Sequence, residues 1–335
     1  MMRFRFDPTP EQRAGLRAQL ERLQQPGAML ELLRPALPAD FEPDSVRCTV
    51  RKSHSDRFVM RAQVRSRGGA ERAYALKVYS DDLGQRVWEH AQALAAHHRP
   101  NGGRVCLPIR YLPHEHTLVF PWVDGPFLSK IVDDRKLELL RQAAGLAAEL
   151  HRLPIVPEQL TTAETPVEET RLRCDRLRRR WPEMTDVVAP LLPAIEEAVT
   201  ALDPAEPAPV HGDMAAGQFV WTGDSLVLLD LDMFGYTDPA YDAGHFLAQL
   251  ERRCVTDPTL PPHAARWVSC FREAYLAAMP QVSPRNVSFY QGLTLVNKMY
   301  TLCRKQMPDW PRLVPRLAAR ARAALEAVAV SGQPR

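Results

Sequence analysis

The sequence predicts an α+β protein of two unequal lobes, a small antiparallel sheet followed by a larger, mostly helical region. Three observations carry this expectation. Segments 45–53, 58–66 and 72–80 alternate apolar and polar residues, as half-buried strands do. Past residue 135, apolar residues recur mainly at helical spacing. A chain of 335 residues is long for one core and suits two.

Taken in order, residues 9–34 read as one or two amphipathic helices, with Leu16, Leu20 and Leu23 on one face. The three alternating segments follow, joined by polar turns. "LGQRVWEHAQALAAHH" (83–98) is an alanine-rich helix, and 105–113 and 116–125 add two more strands. "RKLELLRQAAGLAAELHRL" (135–153) places Leu139, Ala143, Leu146 and Leu150 on one face and predicts a buried helix. The helical remainder is interrupted by short strands in "QFVWTGDSLVLLDLD", with a hairpin turn at Thr222–Ser225. The expected division is an N-terminal helical extension (1–44), a strand-rich lobe (45–122), a hinge near 121–125 and a helical lobe (123–335).

Composition narrows the class. A hydrophobic fraction of 45% with 25% charged residues is ordinary for a globular chain. The net charge of +3 is too mild to announce a nucleic-acid binder. Six scattered cysteines without a CxxC pair support neither a zinc site nor a disulfide framework. The start lacks the apolar core of a secretory signal, and no run reaches membrane-spanning length. The expectation is a reduced, cytoplasmic protein without a membrane or nucleic-acid partner.

The chemistry concentrates in "VHGDMAAGQFVWTGDSLVLLDLD" (210–232). A carboxylate beside a buried apolar run needs compensation, and Asp213, Gln218, Asp230 and Asp232 arrive together. A loop aspartate, an amide five residues later and an aspartate after a short hairpin is the layout of kinase-type phosphotransferases. Asp213 suits a hydroxyl to be oriented and deprotonated; Gln218 and Asp230 offer the hard oxygens Mg²⁺ prefers. As residues alone, each has a structural reading: Asp213 as a turn cap, His211 as a hydrogen-bonding loop residue, Asp232 as either a second ligand or none. Asp238 and Asp242 read as loop and helix-start anchors.

"HGDMAAGQ…LLDLD…DPAYDAG" resembles the aminoglycoside phosphotransferase and choline kinase superfamily, in which HGDxxxxN precedes a hydrophobic strand and Asp. The resemblance implies a protein-kinase-like fold and an ATP- and Mg²⁺-dependent transfer of phosphate to a small-molecule hydroxyl. It makes Asp213 the catalytic aspartate and Gln218 and Asp230 the metal ligands. Gln218 departs from the usual Asn and resembles the maltokinase-like branch; Ala215-Ala216 replaces a frequent His-Pro. "YALKVYS" resembles the third-strand lysine motif, making Lys77 a phosphate ligand, although alone it reads equally as a solvated strand lysine. Glu89, the only acidic residue of the 83–98 helix, is the expected ion-pair partner of Lys77.

Other segments are less specific. "RKSHSDRFVM" has no glycine where a phosphate-covering loop is expected; Ser53, His54 and Ser55 offer hydroxyls and backbone N–H groups, or form a plain hairpin. Phe120 and Trp122 mark either an adenine-binding hinge or core aromatics. Residues 245–335 hold thirteen basic against five acidic residues, poor complementarity for a polycationic antibiotic. A sugar or another neutral or anionic alcohol is therefore the favoured acceptor. Tyr290, Gln291, Asn297 and Tyr300 could line its pocket or pack as core. Three other readings are a nucleotide-binding scaffold without catalysis, a glycosyltransferase using "DLD", and a metallohydrolase using His211, Asp213, Asp230 and His245.

Overall fold

Thr9 opens the first element. Gln12 N–H donates to its hydroxyl at 3.2 Å and Thr9 N–H donates to Gln12 Oε1 at 2.9 Å, a reciprocal cap followed by Pro10, whose missing N–H is not needed in a first turn. In this computed structural model, which describes residues 8–97, 103–157, 163–260 and 262–330, the cap starts helix α1 (Pro10–Leu23), and α2 (Pro26–Leu33) follows. Residues 1–7 and 331–335 of the outer segments, and His98 of the expected 83–98 helix, lie outside the described residues.

Strands β1 (Pro43–Ser53), β2 (Arg57–Ser66) and β3 (Glu71–Tyr79) run antiparallel and lead into α3 (Leu83–His97). Next come β4 (Gly103–Val105), β5 (Arg110–Leu112) and β6 (Thr117–Pro121). The single strand expected over 105–113 is thus split. Pro108, which has no N–H to give a ladder, lies between the pieces. β5 joins a five-stranded sheet ordered β1-β2-β3-β6-β5, while β4 leaves it for the second part of the chain.

Alternation along the strands separates two faces. Tyr74, Leu76 and Val78 of β3 and Phe58, Met60, Ala62 and Val64 of β2 pack against Leu16, Leu23, Met29 and Leu33 in a core of their own. The two N-terminal helices therefore cover the outer face of the sheet. Lys77 and Tyr79 occupy the opposite face.

The second part is mostly helical: α4 (Arg135–His151), α5 (Glu164–Arg180), α6 (Thr185–Val188) and α7 (Leu191–Thr200). Short strands β7 (Ala208–Val210), β8 (Phe219–Trp221), β9 (Leu226–Leu228) and β10 (Gly235–Thr237) precede α8 (Ala240–Thr256), α9 (Arg266–Ala278), α10 (Pro284–Arg304) and α11 (Trp310–Val330). β8 and β9 form the hairpin, and β4 pairs in parallel with β9. β7 pairs antiparallel with β10, matching Val210 to Gly235, so the two loops that follow Val210 and precede Gly235 emerge side by side. α8 crosses α10 at Gly244, where an added Cβ would lie 2.7 Å from Gln291 N and Val287 O. An N-terminal antiparallel sheet followed by a mostly helical region is the two-lobed α+β arrangement the sequence predicts. No helix among the described residues is long and apolar enough to cross a membrane.

If α1 and α2 supply the outer core of the sheet, Leu23→Ala removes a fully buried side chain and is expected to lower unfolding stability by about 2–5 kcal/mol in urea titrations. A loss within about 0.5 kcal/mol, the scale of a surface substitution, would contradict that role.

Candidate active site

The loop after β7 is held from below by one carboxylate. Asp242, fully buried at the start of α8, accepts from His211 N–H (2.6 Å) and Gly212 N–H (2.9 Å) and meets His151 Nε2 at 3.1 Å. Burial raises its pKa, but His151 and the His211 contacts outweigh that and hold it below the ordinary value. His211 Nε2 donates to Leu229 O (2.9 Å) and its Nδ1 accepts from Asp213 N–H (3.3 Å). Both ring nitrogens are thereby engaged in shaping the loop. Gly212 has φ +80°, and an added Cβ would lie 2.1 Å from Met233 O; only glycine lets the two loops approach this closely.

Asp213 projects from this loop with 46% of its side chain exposed. Its Oδ1 lies 3.2 Å from His245 Nε2, and Gln218 Nε2 donates to its Oδ2 at 3.4 Å. Burial lowers the His245 pKa more than Asp213 raises it, so the imidazole is neutral at neutral pH; its Nε2 lies 3.2 Å from both the carboxylate and Gln249 Nε2. For Asp213 itself, burial pushes the pKa up, but the His245 hydrogen bond and nearby positive charge, Lys298 included, hold it at about 2. Asp213 is thus ionised and ready to accept a hydrogen bond. His245 entered the sequence reading only as a metallohydrolase ligand, although its spacing of three from Asp242 already placed both on one helical face.

Lys77 reaches across from the sheet. Its Nζ donates to Asp230 Oδ1 at 2.5 Å and Asp232 Oδ1 at 2.6 Å. Tyr79 OH donates to Asp232 Oδ1 at 2.7 Å, and Arg57 Nε lies 3.5 Å from Asp232 Oδ2. Burial pushes Lys77 down, but the two carboxylates outweigh it and the ammonium is retained. Burial likewise raises Asp230, and the Lys77 charge and hydrogen bond bring it well below the usual range. Asp230 and Asp232 lie beyond the strand, because β9 ends at Leu228. Asp230 adopts φ +73°, a left-handed turn that aspartate tolerates better than most residues, and this brings both carboxylates to one ammonium.

The ion pair expected between Lys77 and Glu89 is not formed. The buried face of α3 is Gly84, Val87, Ala91 and Leu94, which turns Glu89 to solvent, where Gln85 Nε2 donates to it at 3.0 Å. Asp232 occupies the role assigned to Glu89.

A cavity of about 430 Å³ joins these groups, its wall including Asp213, Gln218, Asp230, His245, Arg57 and Lys52. The β1–β2 connection is a tight hairpin closed by His54 N–H donating to Arg57 O at 2.8 Å. It presents Lys52, His54 and Arg57 to the cavity; of Ser53, His54 and Ser55, only His54 lines it. Arg61 and Arg51 lie over the Trp122 ring, 4.6 and 5.7 Å from its centroid, and Phe120 packs partly against the main core. Tyr290 and Asn297 of α10 line the cavity, whereas Gln291 turns away to Arg272 and Glu251, and Tyr300 packs edge-on against Trp181. From the basic run 171–181, Arg173 lines the cavity; Arg171 and Arg178 form exposed ion pairs.

The donor set fits a magnesium ion. Gln218 keeps its carbonyl oxygen and Asp230 its Oδ2 without a hydrogen bond among the described residues, both on the cavity wall. Two protein oxygens, completed by phosphate oxygens and water, suit the way Mg²⁺ is usually held.

The family described as "Phosphotransferase enzyme family" matches residues 60–289, more than half of the chain. No curated protein matches the chain. Among solved structures, a choline/ethanolamine kinase family protein from Mesorhizobium loti superposes with a TM-score of 0.54 at 15% identity, covering 94% of this chain and 98% of its own. An ADP-bound aminoglycoside phosphotransferase, APH(2'')-Ib, gives a TM-score of 0.56 at 14% identity over 89% and 98% of the two chains. A choline kinase from Cryptosporidium parvum Iowa II gives 0.59 at 10% identity over 91% and 97%. These likenesses concern the fold.

The cluster around Lys77 makes a contrast that can be measured. Asp232→Ala leaves Lys77 and Arg57 facing a lost carboxylate and is expected to cost about 3–5 kcal/mol of unfolding stability. Glu89→Ala is expected to stay within about 0.5 kcal/mol. Urea titration of both variants checks this; the reverse order would reinstate Glu89 as the partner.

Proposed function

Because the chain belongs to the phosphotransferase enzyme family, we propose that it transfers the γ-phosphate of ATP to a hydroxyl of a small molecule, a sugar or another neutral or anionic alcohol. The observation that carries this reading is one cavity containing both an ionised, accessible Asp213 and an Asp230 carboxylate held by Lys77.

In this reading Asp213 accepts the hydrogen bond of the acceptor hydroxyl and takes its proton. The hydroxyl oxygen bonds to the γ-phosphorus while the bond from that phosphorus to the β–γ bridging oxygen breaks, and ADP leaves. His245 and Gln218 orient the two Asp213 oxygens, which serves the positioning that dominates phosphoryl transfer. Lys77, anchored by Asp232, would meet nucleotide phosphates beside Asp230, and Arg57, Lys52 and His54 line the cavity along the hairpin. Gln218 and Asp230 would hold Mg²⁺, which when bound offsets negative charge on the phosphates.

The cavity wall argues about the acceptor. Lys52, Arg57, Arg173 and Lys298 stand against Asp213, Asp230 and Glu169, and Asp230 is already matched by Lys77. A polycation would find little free negative charge there.

Two outcomes follow. Asp213→Asn is expected to lower acceptor-dependent ADP release by about 10²–10⁴-fold while nucleotide affinity stays within a few-fold; full activity in the variant would remove Asp213 from the chemistry, and ATP binding without release on any acceptor would make the protein a scaffold. Because the Asp213 pKa is depressed to about 2, its carboxylate persists as pH falls through the ordinary aspartate range near ~3.9. Carbon-13 NMR of its labelled carboxyl is expected to show no titration above about pH 4; a midpoint above that would contradict the assignment of its partners.

A further inference from the structure

The phosphotransfer chemistry does not use Lys298, a cation of the cavity wall. Lys298 lies on α10 in the wall that also contains Asp213. It makes no hydrogen bond or ion pair with any described residue. The acidic groups nearby have other partners: Asp213 meets His245 at 3.2 Å, Asp230 meets Lys77 at 2.5 Å, and Glu169 meets Arg173 at 3.8 Å. Among the described lysines and arginines of 245–335, Lys298 is the one that lines this cavity.

A second observation comes from its neighbour. Asn297 Nδ2 donates to Thr170 Oγ1 at 3.1 Å, and Thr170 gives its own hydrogen to Pro166 O at 2.7 Å. The hydroxyl must therefore accept from Asn297, which fixes the amide orientation. Asn297 Oδ1 is left buried with no hydrogen-bond partner. A buried carbonyl oxygen without a donor is uncommon and calls for one. Thr294, three residues before Asn297 and four before Lys298, completes a polar patch on the same helix face.

We propose that the acceptor is a polyhydroxy compound bearing an anionic group, a carboxylate or a phosphate ester, and that Lys298 binds this anion while Asn297 Oδ1 accepts from a second hydroxyl. The assignment rests on the phosphotransferase reading above, in which a first hydroxyl sits at Asp213. Burial, with Arg252 and Arg173 close by, lowers the Lys298 pKa to about 8 against the pull of Asp213, so it is still mainly an ammonium at neutral pH. An arriving anion supplies the countercharge the protein withholds. An amino sugar would set its ammonium against Lys298 and Arg173, a repulsion that selects against it.

Glucitol, gluconate, glucitol 6-phosphate and glucamine share a carbon chain and differ in the charge of one end, so they are the probes. Acetylation of Lys298 is followed by mass spectrometry on the full-length wild-type protein without ATP, so that no turnover consumes them. Protection of about tenfold by gluconate or glucitol 6-phosphate, but not by glucitol or glucamine, is expected. Protection by only one of the two anions tells carboxylate from phosphate ester. Equal protection by glucitol, or none by either anion, overturns the subsite.

Phosphoryl transfer by the wild type is scored separately on the same probes. Lys298→Gln is expected to lower kcat/KM for the anionic probe about tenfold, the scale of one charge-assisted hydrogen bond, with the neutral probe nearly unchanged; Lys298→Arg is expected to restore most of the loss. Transfer without preference for an anion overturns the subsite and leaves the phosphotransferase reading standing. Anion protection in a protein that transfers phosphate to nothing does the opposite.

Discussion

A single buried ammonium shared by two carboxylates holds the sheet to the helical region. Lys77 comes from β3, and Asp230 and Asp232 come from the loop after β9. Three charges out of water are expensive unless geometry and hydrogen bonding are both good. Here Tyr79 and Arg57 add the contacts that satisfy Asp232, so the cluster is compensated on both sides. Its position then fixes which face of the sheet looks at the helical region and which must be covered elsewhere. The N-terminal helices cover the other face.

The same constraint explains the local backbone. Bringing both carboxylates to one ammonium needs a left-handed residue at Asp230, and the chain accepts it because β7 and β10 clamp the ends of the 211–234 segment. Within that clamp Asp242 organises the loop of His211 and Gly212, and Gly212 presses against Met233. Asp213 is therefore positioned by rigid neighbours, which suits the proposed transfer. On the far wall, the close crossing of α8 and α10 at Gly244 sets His245 and the polar face of α10 around the same cavity.

Much of this was legible in the sequence, for identifiable reasons. A lysine inside an alternating apolar strand and a set of acidic groups at fixed offsets are signals of local origin, and the lobes, the hairpin and the buried 135–153 helix follow from periodicity. What failed depended on orientation. Glu89 is the only acid of its helix, but the apolar residues Val87 and Ala91 take the buried side of α3 and leave it facing solvent. The strand over 105–113 ignored Pro108 and could not foresee that β4 pairs with β9 in the other part of the chain. No sequence rule announces the left-handed backbone at Asp230. Lys298 was visible as one positive charge among many; only the rotation of α10 about its axis puts it beside Asp213.

The central claim is that Asp230 faces a nucleotide-bound divalent ion on one oxygen while Asp232 keeps Lys77 in place. Electron paramagnetic resonance of Mn²⁺, a stand-in for Mg²⁺, tests it most directly when wild type, Asp230→Asn and Glu89→Gln are titrated in the presence of ATP. The account predicts an ATP-dependent bound ion in wild type and Glu89→Gln that weakens about tenfold or more in Asp230→Asn, as expected when a charged ligand is removed. Unchanged Mn²⁺ binding in Asp230→Asn, or its loss in Glu89→Gln, would contradict it.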